Sequence, residues 1–549
     1  MKLPYFLILI LSVIFLSPTN VVAKISLDVE EEPVSANDIN GYEEEKECAR
    51  QWLLKQFLKD GQLVNSLSLK MMYKDDGFMI FKDTRNHCFC IVAFKELWPL
   101  LYSPVLAYST ESALVQLNDK GFDEMMNPLR NQIAALQKTP VHAMSQSPLY
   151  MPKNKEVLPL LAWNKWNQME PYNMFAPIKN GRKVVIGCVP LATAIAMSYY
   201  QWPDRGNACC YYLFDKNHVA TMDFSKCTPQ WKSYKGSYQR KDTIDEGARN
   251  LSKLLVSIGL SVDATFSNEG TSACMNNVKP TLCNHFGYSG HISYYDIRNK
   301  NITEEQIEAL LYKELDEGRP CIVSSIRHAF VCDGYSDGFF HYNMGWGGYY
   351  NGYYRLKLGN YKNSNKEQPQ SLIKGIICGI EPQRNDSSTV REVTMKKAGT
   401  LEEMLTDQEK ETITKLTIKG RINSDDIKLL RKMAGANDKF SLDGWKGGAL
   451  QELDLSEAKL RIIGKYMFAK CSSLRSILLP KRVEIVDDYA FKDCTSLVSV
   501  ILPPLTQSVG MTPFHGCTSL EDVFIPHRAK LRGVVIWGSS PALRSVKRY

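Results

Sequence analysis

The sequence lacks features that would place it in several common functional classes. None of its 15 cysteines forms a Cys-x-x-Cys pair, and this argues against a structural zinc site. No stretch interleaves clustered Lys and Arg with aromatic residues, so nucleic-acid binding is not predicted. Beyond the N-terminus, no apolar run reaches the about 20 residues that a membrane span needs. The number of cysteines is odd, so at least one free thiol is expected.

The N-terminus carries one short apolar run. Lys2 precedes the apolar residues 6–16, and Val21, Val22 and Ala23 suit a signal-peptidase site. These features predict a secretory signal peptide at residues 1–23. A membrane anchor is the alternative, but the run is shorter than the about 20 residues of a span. The mature chain is therefore expected to have no membrane span.

The chain is too long for a single hydrophobic core, with 549 residues of which 44% are hydrophobic and 23% charged. Residues 24–145 mix helical and strand-like patterns and predict a small α+β unit. Residues 146–385 are rich in Tyr, Gly and Trp, with an early helix and late alternating strands. A polar linker is predicted at 386–400, before a distinct region at 401–549.

The C-terminal region repeats itself with a period of 23 residues. The positions in phase are Phe468, Phe491 and Phe514; Cys471, Cys494 and Cys517; Leu474, Leu497 and Leu520; and Pro480, Pro503 and Pro526. A fixed period with apolar positions in phase is typical of a solenoid whose units bury their faces against one another. The cysteines in this ladder are interpreted as small buried fillers rather than reactive groups.

A cysteine precedes the apolar stretch of residues 189–202, which is predicted to be a helix. Pro190 suits the first turn, where its missing N–H would have no partner. Cys188 then lies at the helix N-terminus, where unpaired backbone donors and the helix dipole stabilise a thiolate. Gly187 would let a substrate backbone come close. The alternative is an inert buried cysteine.

A second segment, at residues 326–356, favours the reactive role. Two alternating runs flank a Tyr-Ser-Asp-Gly turn and predict a β-hairpin, with His328 entering the first strand and Asn343 on the second. With the turn centred between Ser336 and Asp337, Asn343 is the diagonal neighbour of His328, about 7 to 8 Å away. A packed or surface histidine is the alternative. Together, Cys, His and Asn predict nucleophilic catalysis.

The motifs around these residues resemble those of the streptopain family of papain-like cysteine proteases. The matching pieces are "GCVPLATA", "HAFVCDGY", "NMGWGG" and, upstream, "WNQMEPYN". The resemblance covers about 150–385. It extends to 24–145, where "SPVLAYSTES" is similar to part of the family's inhibitory propeptide, and the repeats resemble BspA-type leucine-rich repeats of bacteroidetes.

This resemblance implies an α+β fold in which a papain-like protease domain at 146–385 follows a propeptide and precedes a leucine-rich-repeat solenoid. It implies a cysteine endopeptidase of a bacterium that is secreted or held at the cell surface or in the periplasm. The enzyme would act on protein or peptide substrates without a cofactor or metal. The propeptide would inhibit it until cleavage between about 138 and 155. The repeats would bind a surface protein or serve as a stabilising appendage.

The resemblance also implies a role for each candidate residue. Cys188 is the nucleophile and His328 its general base, and the two rest as thiolate and imidazolium. Asn343 would orient the imidazole. Gln168 and the backbone N–H of Cys188 would hold the oxyanion. Substrate contacts would come from Gly187, Trp346, Gly347 and Gly348.

Two positions depart from the family pattern, and two other functions remain open. Met344 stands where a Trp usually follows the Asn, and it would shield the Asn–His contact only in part. Arg327 stands where a glycine is common and would narrow or charge the substrate cleft. One alternative function is a surface adhesin that acts through its repeats with an inert protease domain. The other is transglutaminase-like acyl transfer, which uses the same Cys and His chemistry.

Overall fold

The structure is a computed structural model. It describes residues 41–112, 120–138, 148–206, 209–215, 218–240, 244–299, 302–359, 372–383, 389–436, 448–532 and 545–548. The predicted signal peptide lies outside the described residues, as does part of the predicted cleavage region. Within the described ranges, no helix has both the length and the apolar character needed to cross a membrane.

The N-terminal region, residues 43–138, combines helices with an antiparallel sheet, as predicted. Its elements are α1 (Glu43–Lys59), β1 (Lys70–Lys74), β2 (Phe78–Asp83), β3 (Cys88–Ala93), β4 (Val105–Ser109) and α2 (Lys120–Lys138). Helix α1 begins with three glutamates, which suit the positive end of its dipole. Every residue of β2, β3 and β4 is buried, so both faces of these strands are covered.

The central region, residues 148–383, contains the predicted helix and hairpin. Its elements are β5 (Glu156–Val157), β6 (Ile178–Lys179), β7 (Arg182–Lys183), α3 (Cys188–Tyr200), β8 (Cys209–Asp215), β9 (His218–Asp223), α4 (Glu246–Ser261), α5 (Val278–Phe286), β10 (Ser293–Asp296), α6 (Glu304–Asp316), β11 (Cys321–Ser324), β12 (Ala329–Ser336), β13 (Phe339–Asn343), β14 (Gly352–Tyr354) and β15 (Gly375–Cys378).

One sheet runs through both regions. Its strand order is β1-β2-β3-β4-β14-β13-β12-β11-β15-β10, with β5 beside β12. The two halves meet where β4 pairs antiparallel with β14, so that Tyr108 lies opposite Tyr353 and Ala107 opposite Tyr354. The N-terminal region therefore extends the sheet of the central region.

Helix α3 packs on strand β12, and this contact positions the site. Successive side chains of a strand point to opposite faces, and β12 follows this rule. Ala329 and Val331 enter a core shared with α3, α4 and α5, whereas Phe330 and Cys332 enter a second core. Strand β12 is therefore buried on both sides.

The C-terminal region is a solenoid of short parallel strands, as the 23-residue period predicts. Its elements are β16 (Thr389–Met395), α7 (Leu401–Met404), α8 (Asp407–Thr412), β17 (Ile413–Gly420), α9 (Ser424–Met433), β18 (Glu452–Asp454), β19 (Ile462–Ile463), β20 (Ser476–Leu478), β21 (Ile485–Val486), β22 (Ser499–Ile501), β23 (Ser508–Val509), β24 (Asp522–Ile525), β25 (Lys530–Leu531) and β26 (Ser545–Arg548). They form sheets of seven and four strands.

The ladder residues stack from one repeat to the next. The rings of Phe468 and Phe491 are 5.6 Å apart and nearly parallel, and Phe491 and Phe514 are 5.4 Å apart. The buried Cys494 and Cys517 thiols each donate a hydrogen bond of 3.0 Å to the carbonyl of a phenylalanine in the preceding repeat. The interpretation of these cysteines as buried fillers is confirmed.

The predicted linker at 386–400 needs correction. Residues Thr389–Met395 form β16, which pairs in parallel with β17 and belongs to the seven-stranded sheet. Val393 and Met395 are buried in the repeat core, because alternate apolar residues of this segment face inward. The repeat sheet thus begins earlier than the polar composition suggested.

Candidate active site

Helix α3 begins at Cys188, one residue earlier than predicted. Gly187 caps the helix, and Pro190 lies in its first turn. The Cys188 side chain is partly buried and is not part of a disulfide. Its place at the first helical residue puts the sulfur beside backbone N–H groups that have no partner within the helix.

Gly187 is required for packing within the chain. Its φ of +95° is one that residues with a side chain rarely adopt. A Cβ atom here would lie 2.9 Å from both Cγ2 and the carbonyl oxygen of Thr271. Thr271 is itself fixed, because its hydroxyl donates to the Val185 carbonyl at 2.6 Å. Gly187 therefore packs closely against Thr271, and the predicted approach of a substrate backbone to Gly187 stays a prediction.

The hairpin has a different register from the predicted one. Asp337 and Gly338 form its two-residue turn, with φ of +51° and +78°, as a type I′ turn requires. A bulge at Cys332–Gly334 shifts the register again, so that Val331 lies opposite Asn343. Asp-Gly, rather than Ser-Asp, occupies the turn because both of its residues tolerate positive φ.

His328 lies just before β12, with 8% of its surface exposed. Its Nε2 atom is 2.8 Å from the carbonyl oxygen of Met344. A carbonyl can only accept a hydrogen bond, so Nε2 carries the proton and Nδ1 is left as the basic nitrogen. The indole of Trp346 stacks on the imidazole, with ring centroids 4.2 Å apart. The ring is therefore fixed in both tautomer and plane.

Burial lowers the pKa of His328 to about 4, and the hydrogen bond with Met344 opposes this effect. Desolvation disfavours the charged imidazolium. Burial therefore favours the neutral imidazole in this structure. The predicted thiolate–imidazolium pair of Cys188 and His328 stays a prediction.

The side-chain hydrogen bonds of Asn343 go to backbone groups rather than to the imidazole, and its predicted role in orienting the ring stays a prediction. Its Nδ2 donates to the Asn164 carbonyl at 2.6 Å, and its Oδ1 accepts from the Gly345 N–H at 3.1 Å. The Gly345 N–H and the Met344 carbonyl belong to one peptide group. Asn343 therefore holds the far side of the peptide whose oxygen faces His328.

Gln168 lies in residues 165–168, called here the Gln168 segment. This segment contacts the loop after β13 on one side and the residues just before α3 on the other. The Gly347 N–H donates to the Trp166 carbonyl at 2.9 Å. The Gln168 carbonyl accepts from the Ile186 N–H at 3.2 Å, two residues before Cys188. The Gln168 side chain is partly exposed. The fold thus brings the predicted oxyanion residue to the same region as Cys188.

The glycines of the loop also pack closely within the chain. Gly347 and Gly348 have φ of +72° and +92°. A Cβ atom on Gly347 would lie 3.1 Å from the Asn167 amide, and one on Gly348 would lie 3.0 Å from Lys165 Cδ. Both glycines therefore face the Gln168 segment on this side, and their predicted contact with substrate stays a prediction.

Three residues near His328, namely Met344, Trp346 and Arg327, differ in how they are placed relative to the imidazole. Met344 is fully buried, and its side chain belongs to the second core. The Trp346 indole stacks on the imidazole. Arg327 is exposed beside His328, consistent with a charge at the rim of the site.

Sequence reasoning missed a buried charged cluster around His341. His341 Nδ1 lies 2.6 Å from Asp333, and Nε2 lies 2.8 Å from Glu111 of the N-terminal region. Although burial opposes it, the two carboxylates raise the pKa of His341 to about 10. Lys165, in the Gln168 segment, lies 3.7 Å from the second oxygen of Glu111. Asp333 and His341 stand in predicted strands, but their pairing depends on a register that the sequence misplaced.

In the described part of the chain, no group of three or more His, Cys, Asp or Glu side chains is arranged to hold a metal ion. The groups that the fold brings to this region are the Cys188 thiol, the His328 imidazole and the amide groups around them. These are the groups of nucleophilic acyl transfer.

Comparison with known proteins gives matches to both the central and the C-terminal regions. Residues 166–354 match the Peptidase C10 family, and residues 445–540 match the BspA type leucine rich repeat region in six copies. Streptopain of Streptococcus pyogenes is 28% identical over 46% of this chain and 68% of its own length. The thiol protease/hemagglutinin PrtT of Porphyromonas gingivalis is 30% identical over 40% of this chain.

The chain spans only 26% of the length of the PrtT protein. Among solved structures, a fragment of prointerpain A from Prevotella intermedia aligns with 23% identity and a TM-score of 0.49, covering 58% of this chain and 100% of the fragment. The sequence matches support a cysteine peptidase. They confirm the predicted relationship of the central region to the peptidase C10, or streptopain, family and of the C-terminal region to BspA-type leucine-rich repeats.

Proposed function

We propose that this chain is a cysteine endopeptidase made as an inhibited precursor, with Cys188 as nucleophile and His328 as general base. One observation carries the proposal. The loop at 343–348 contacts the His328 ring, the Gln168 segment and helix α3 at once. In its contact with α3, a Cβ atom on Gly345 would lie 2.9 Å from Leu191 Cδ2. A single loop thus connects every element of the proposed site.

In the proposed mechanism, Nδ1 of His328 takes the proton of the Cys188 thiol. The sulfur attacks the scissile carbonyl carbon and forms a C–S bond, while negative charge develops on the carbonyl oxygen. The Gln168 amide and the Cys188 N–H stabilise that oxygen, and removing one such donor costs about 3 to 4 kcal/mol. The C–N bond then breaks as the imidazolium returns its proton to the leaving amine. Water hydrolyses the resulting thioester.

Asn343 has a positioning role in this mechanism. Its amide oxygen holds the Gly345 N–H, and the carbonyl of the same peptide accepts from His328 Nε2. Bonding at one end of a peptide group polarises the other, so this arrangement supports the Nε2-protonated tautomer. Burial favours the neutral imidazole of His328 in this structure, which suits a group that accepts the proton of the Cys188 thiol.

The proposed precursor form is supported by the joint between the N-terminal and central regions. Strand β4 extends the central sheet, and Glu111 binds His341 beside the Gln168 segment. Lys59 donates a 2.5 Å hydrogen bond to Ser336 at the end of β12. The N-terminal region would act as an intramolecular inhibitor that is cleaved off after export. The secretory signal at residues 1–23 supplies the route for export.

Cys188→Ala tests the proposal. This variant is expected to abolish hydrolysis of denatured casein while the thermal melting of the chain is unchanged. An active-site epoxide peptide should label the wild-type thiol and leave the Cys188→Ala variant unlabelled. Cys274→Ala is a matched control, because Cys274 is an exposed thiol outside the site. Full casein hydrolysis by Cys188→Ala would refute the assignment.

The same preparation distinguishes the rival functions. Incorporation of a fluorescent amine into casein, without new N-termini, would indicate transglutaminase-like transfer. Failure of wild-type protein to hydrolyse casein or react with the epoxide, after removal of the N-terminal region, would favour an adhesin that acts through its repeats. Release of peptides with new N-termini supports the endopeptidase.

A further inference from the structure

The loop between β13 and β14 is closed by a buried asparagine that the sequence motifs did not single out. Asn351 is only 2% exposed, and its Oδ1 accepts a hydrogen bond of 2.9 Å from the Met344 N–H. We propose that Asn351 is a positioning residue that fixes the orientation of the His328 ring through the Met344 backbone. This inference rests on the proposed peptidase function.

Asn351 acts on both groups that hold the imidazole. Its bond with the Met344 N–H fixes the residue whose carbonyl faces His328 Nε2 at 2.8 Å. The same bond closes the loop that carries Trp346, whose indole stacks on the imidazole. One side-chain amide therefore fixes the ring both at its edge and across its face.

The loop is also anchored on its second side, so Asn351 itself is held in place. The Asn351 N–H donates to the Gly348 carbonyl at 3.3 Å. The ring of Tyr350 packs edge-on against Trp346, with centroids 5.6 Å apart, and the Tyr350 carbonyl accepts a bond from the Tyr354 hydroxyl. Tyr350 has a positive φ of 62°, so the chain turns sharply just before Asn351. This turn aims the amide back at Met344.

The chemistry of the bond predicts which substitutions preserve it. Aspartate keeps an acceptor oxygen at the same position, so Asn351→Asp should still hold the Met344 N–H. Alanine removes the acceptor and leaves a buried N–H unpaired, which allows the peptide to rotate towards another partner. Serine is too short to reach the same point. The kcat should therefore be retained only where residue 351 keeps an oxygen that accepts the hydrogen bond from the Met344 N–H.

The experiment compares Asn351→Ala, Asn351→Ser and Asn351→Asp in the full-length chain. Each variant is processed in trans by tagged wild-type enzyme, which is then removed. The kcat and KM values for a peptide substrate are measured, and the tautomer of His328 is read from nitrogen-15 histidine NMR spectra. Asn351→Ala should lower kcat about 100-fold with little change in KM, as expected when a catalytic group is displaced.

The other variants and a control keep the test sharp. Asn351→Asp should recover most of the kcat and the Nε2-protonated signal, while Asn351→Ser should resemble Asn351→Ala. Asn284→Ala is the matched control, since Asn284 is another buried asparagine whose amide donates to Ser519 far along the chain, and it should keep wild-type kcat. If Asn351→Ala does not fold, as judged by loss of cooperative melting, Asn351→Ser supplies the same comparison with Asn351→Asp.

Two results would overturn the inference. One is wild-type kcat with an unchanged His328 tautomer in a folded Asn351→Ala or Asn351→Ser variant. The other is a loss in Asn351→Asp as large as in the variants without the acceptor. Either result leaves the proposed function standing if Cys188→Ala remains inactive, so the two proposals fail separately.

Discussion

The N-terminal and C-terminal regions are attached to the central region in opposite ways. The buried apolar residues of the N-terminal sheet, such as Phe78 and Ile91, lie in one core with Phe330 and Tyr342 of the central region. The repeats instead have a core of their own, made of residues between 393 and 531. The N-terminal region thus contributes part of a shared core, whereas the repeats have a separate core.

The central region also makes more extensive contacts with the N-terminal region than with the repeats. The N-terminal joint consists of paired strands, a shared core and the buried ion pair of Glu111 with His341. The repeat joint includes a close backbone approach at Gly290 and Gly448 and the hydrogen bond from Asn284 to Ser519. The N-terminal region is therefore built into the fold of the central region more deeply than the repeats are.

The largest effect is expected when the N-terminal region is deleted before folding. A variant lacking residues 24–138 would expose the central half of the shared core, including Phe330 and Tyr342, together with the free edge of β14. Such exposed surface and edges favour aggregation. We expect this variant to be insoluble on refolding, as measured by the soluble fraction and its casein hydrolysis.

A matched control separates folding from stability. The isolated 24–138 segment, added in trans during refolding, should restore soluble protein, which becomes active once the segment is cleaved. Soluble and active protein formed without the added segment would show that the shared core is dispensable, and the contrast between the two joints would be lost.

A large but local effect is expected from Phe491→Ala. This ring lies between Phe468 and Phe514 in the repeat core, and removing a buried phenylalanine costs about 3 to 5 kcal/mol. Since that core is separate, the repeats should melt at lower temperature while kcat for a peptide substrate stays unchanged. Calorimetry and kinetics measure the two effects. A clear fall in kcat alongside the lower melting temperature would contradict the independence of the repeats.

A smaller effect is expected from Glu111→Gln at the N-terminal joint. Loss of one partner leaves the His341 charge less compensated, and breaking a buried pair typically costs about 3 kcal/mol. The precursor should therefore melt earlier and mature faster. Urea unfolding followed by tryptophan fluorescence measures the first effect, and gel analysis of processing measures the second. Asp60→Asn is a matched control, because Asp60 accepts a bond from Thr110 outside this pair.

The pH dependence of the precursor follows from the same pair. The pKa of His341 is raised from 6.5 to about 10, so its contribution is full below pH 6.5 and is lost as pH rises towards 10. Hydrogen bonding and attraction to His341 hold the pKa of Glu111 below 4.5 despite burial, so its contribution is lost as pH falls below 4.5. The pair should stabilise most between about pH 4.5 and 6.5. Melting temperatures that are flat across pH 4 to 10 in wild type would contradict this window.

The sequence predicted best where one local pattern determines the structure. The 23-residue period specified the stacked phenylalanines and cysteines, and the apolar run after Cys188 specified a helix with the cysteine at its start. The contacts of glycine-rich loops are harder to predict from sequence, because a glycine allows a neighbouring group to come close but does not identify that group. The sequence therefore did not indicate that Thr271 packs against Gly187 and Asn167 against Gly347.

Register was the other source of error. A two-residue turn and one bulge moved the pairing of β12 and β13, so that Val331 lies opposite Asn343. The role of Asn351 depends on a sharp turn at Tyr350, for which the sequence offers no local signal. The ion pair of Glu111 and His341 joins positions 230 residues apart, and no periodicity relates them.

The smallest effect on catalysis is expected when the repeats are removed altogether. A variant ending at Gln383 retains both cores of the central region, because neither includes a residue beyond Ile380. It should keep wild-type kcat and KM for a short peptide, since no repeat residue contacts the described parts of the site.

Its α5 surface, which includes Asn284, would be uncovered, so a modest loss of thermal stability is expected. The comparison variant is Asn284→Ala with the repeats attached, because it removes the hydrogen bond to Ser519 alone. A large fall in kcat on truncation, but not in Asn284→Ala, would mean that the repeats support the peptidase fold as the N-terminal region does.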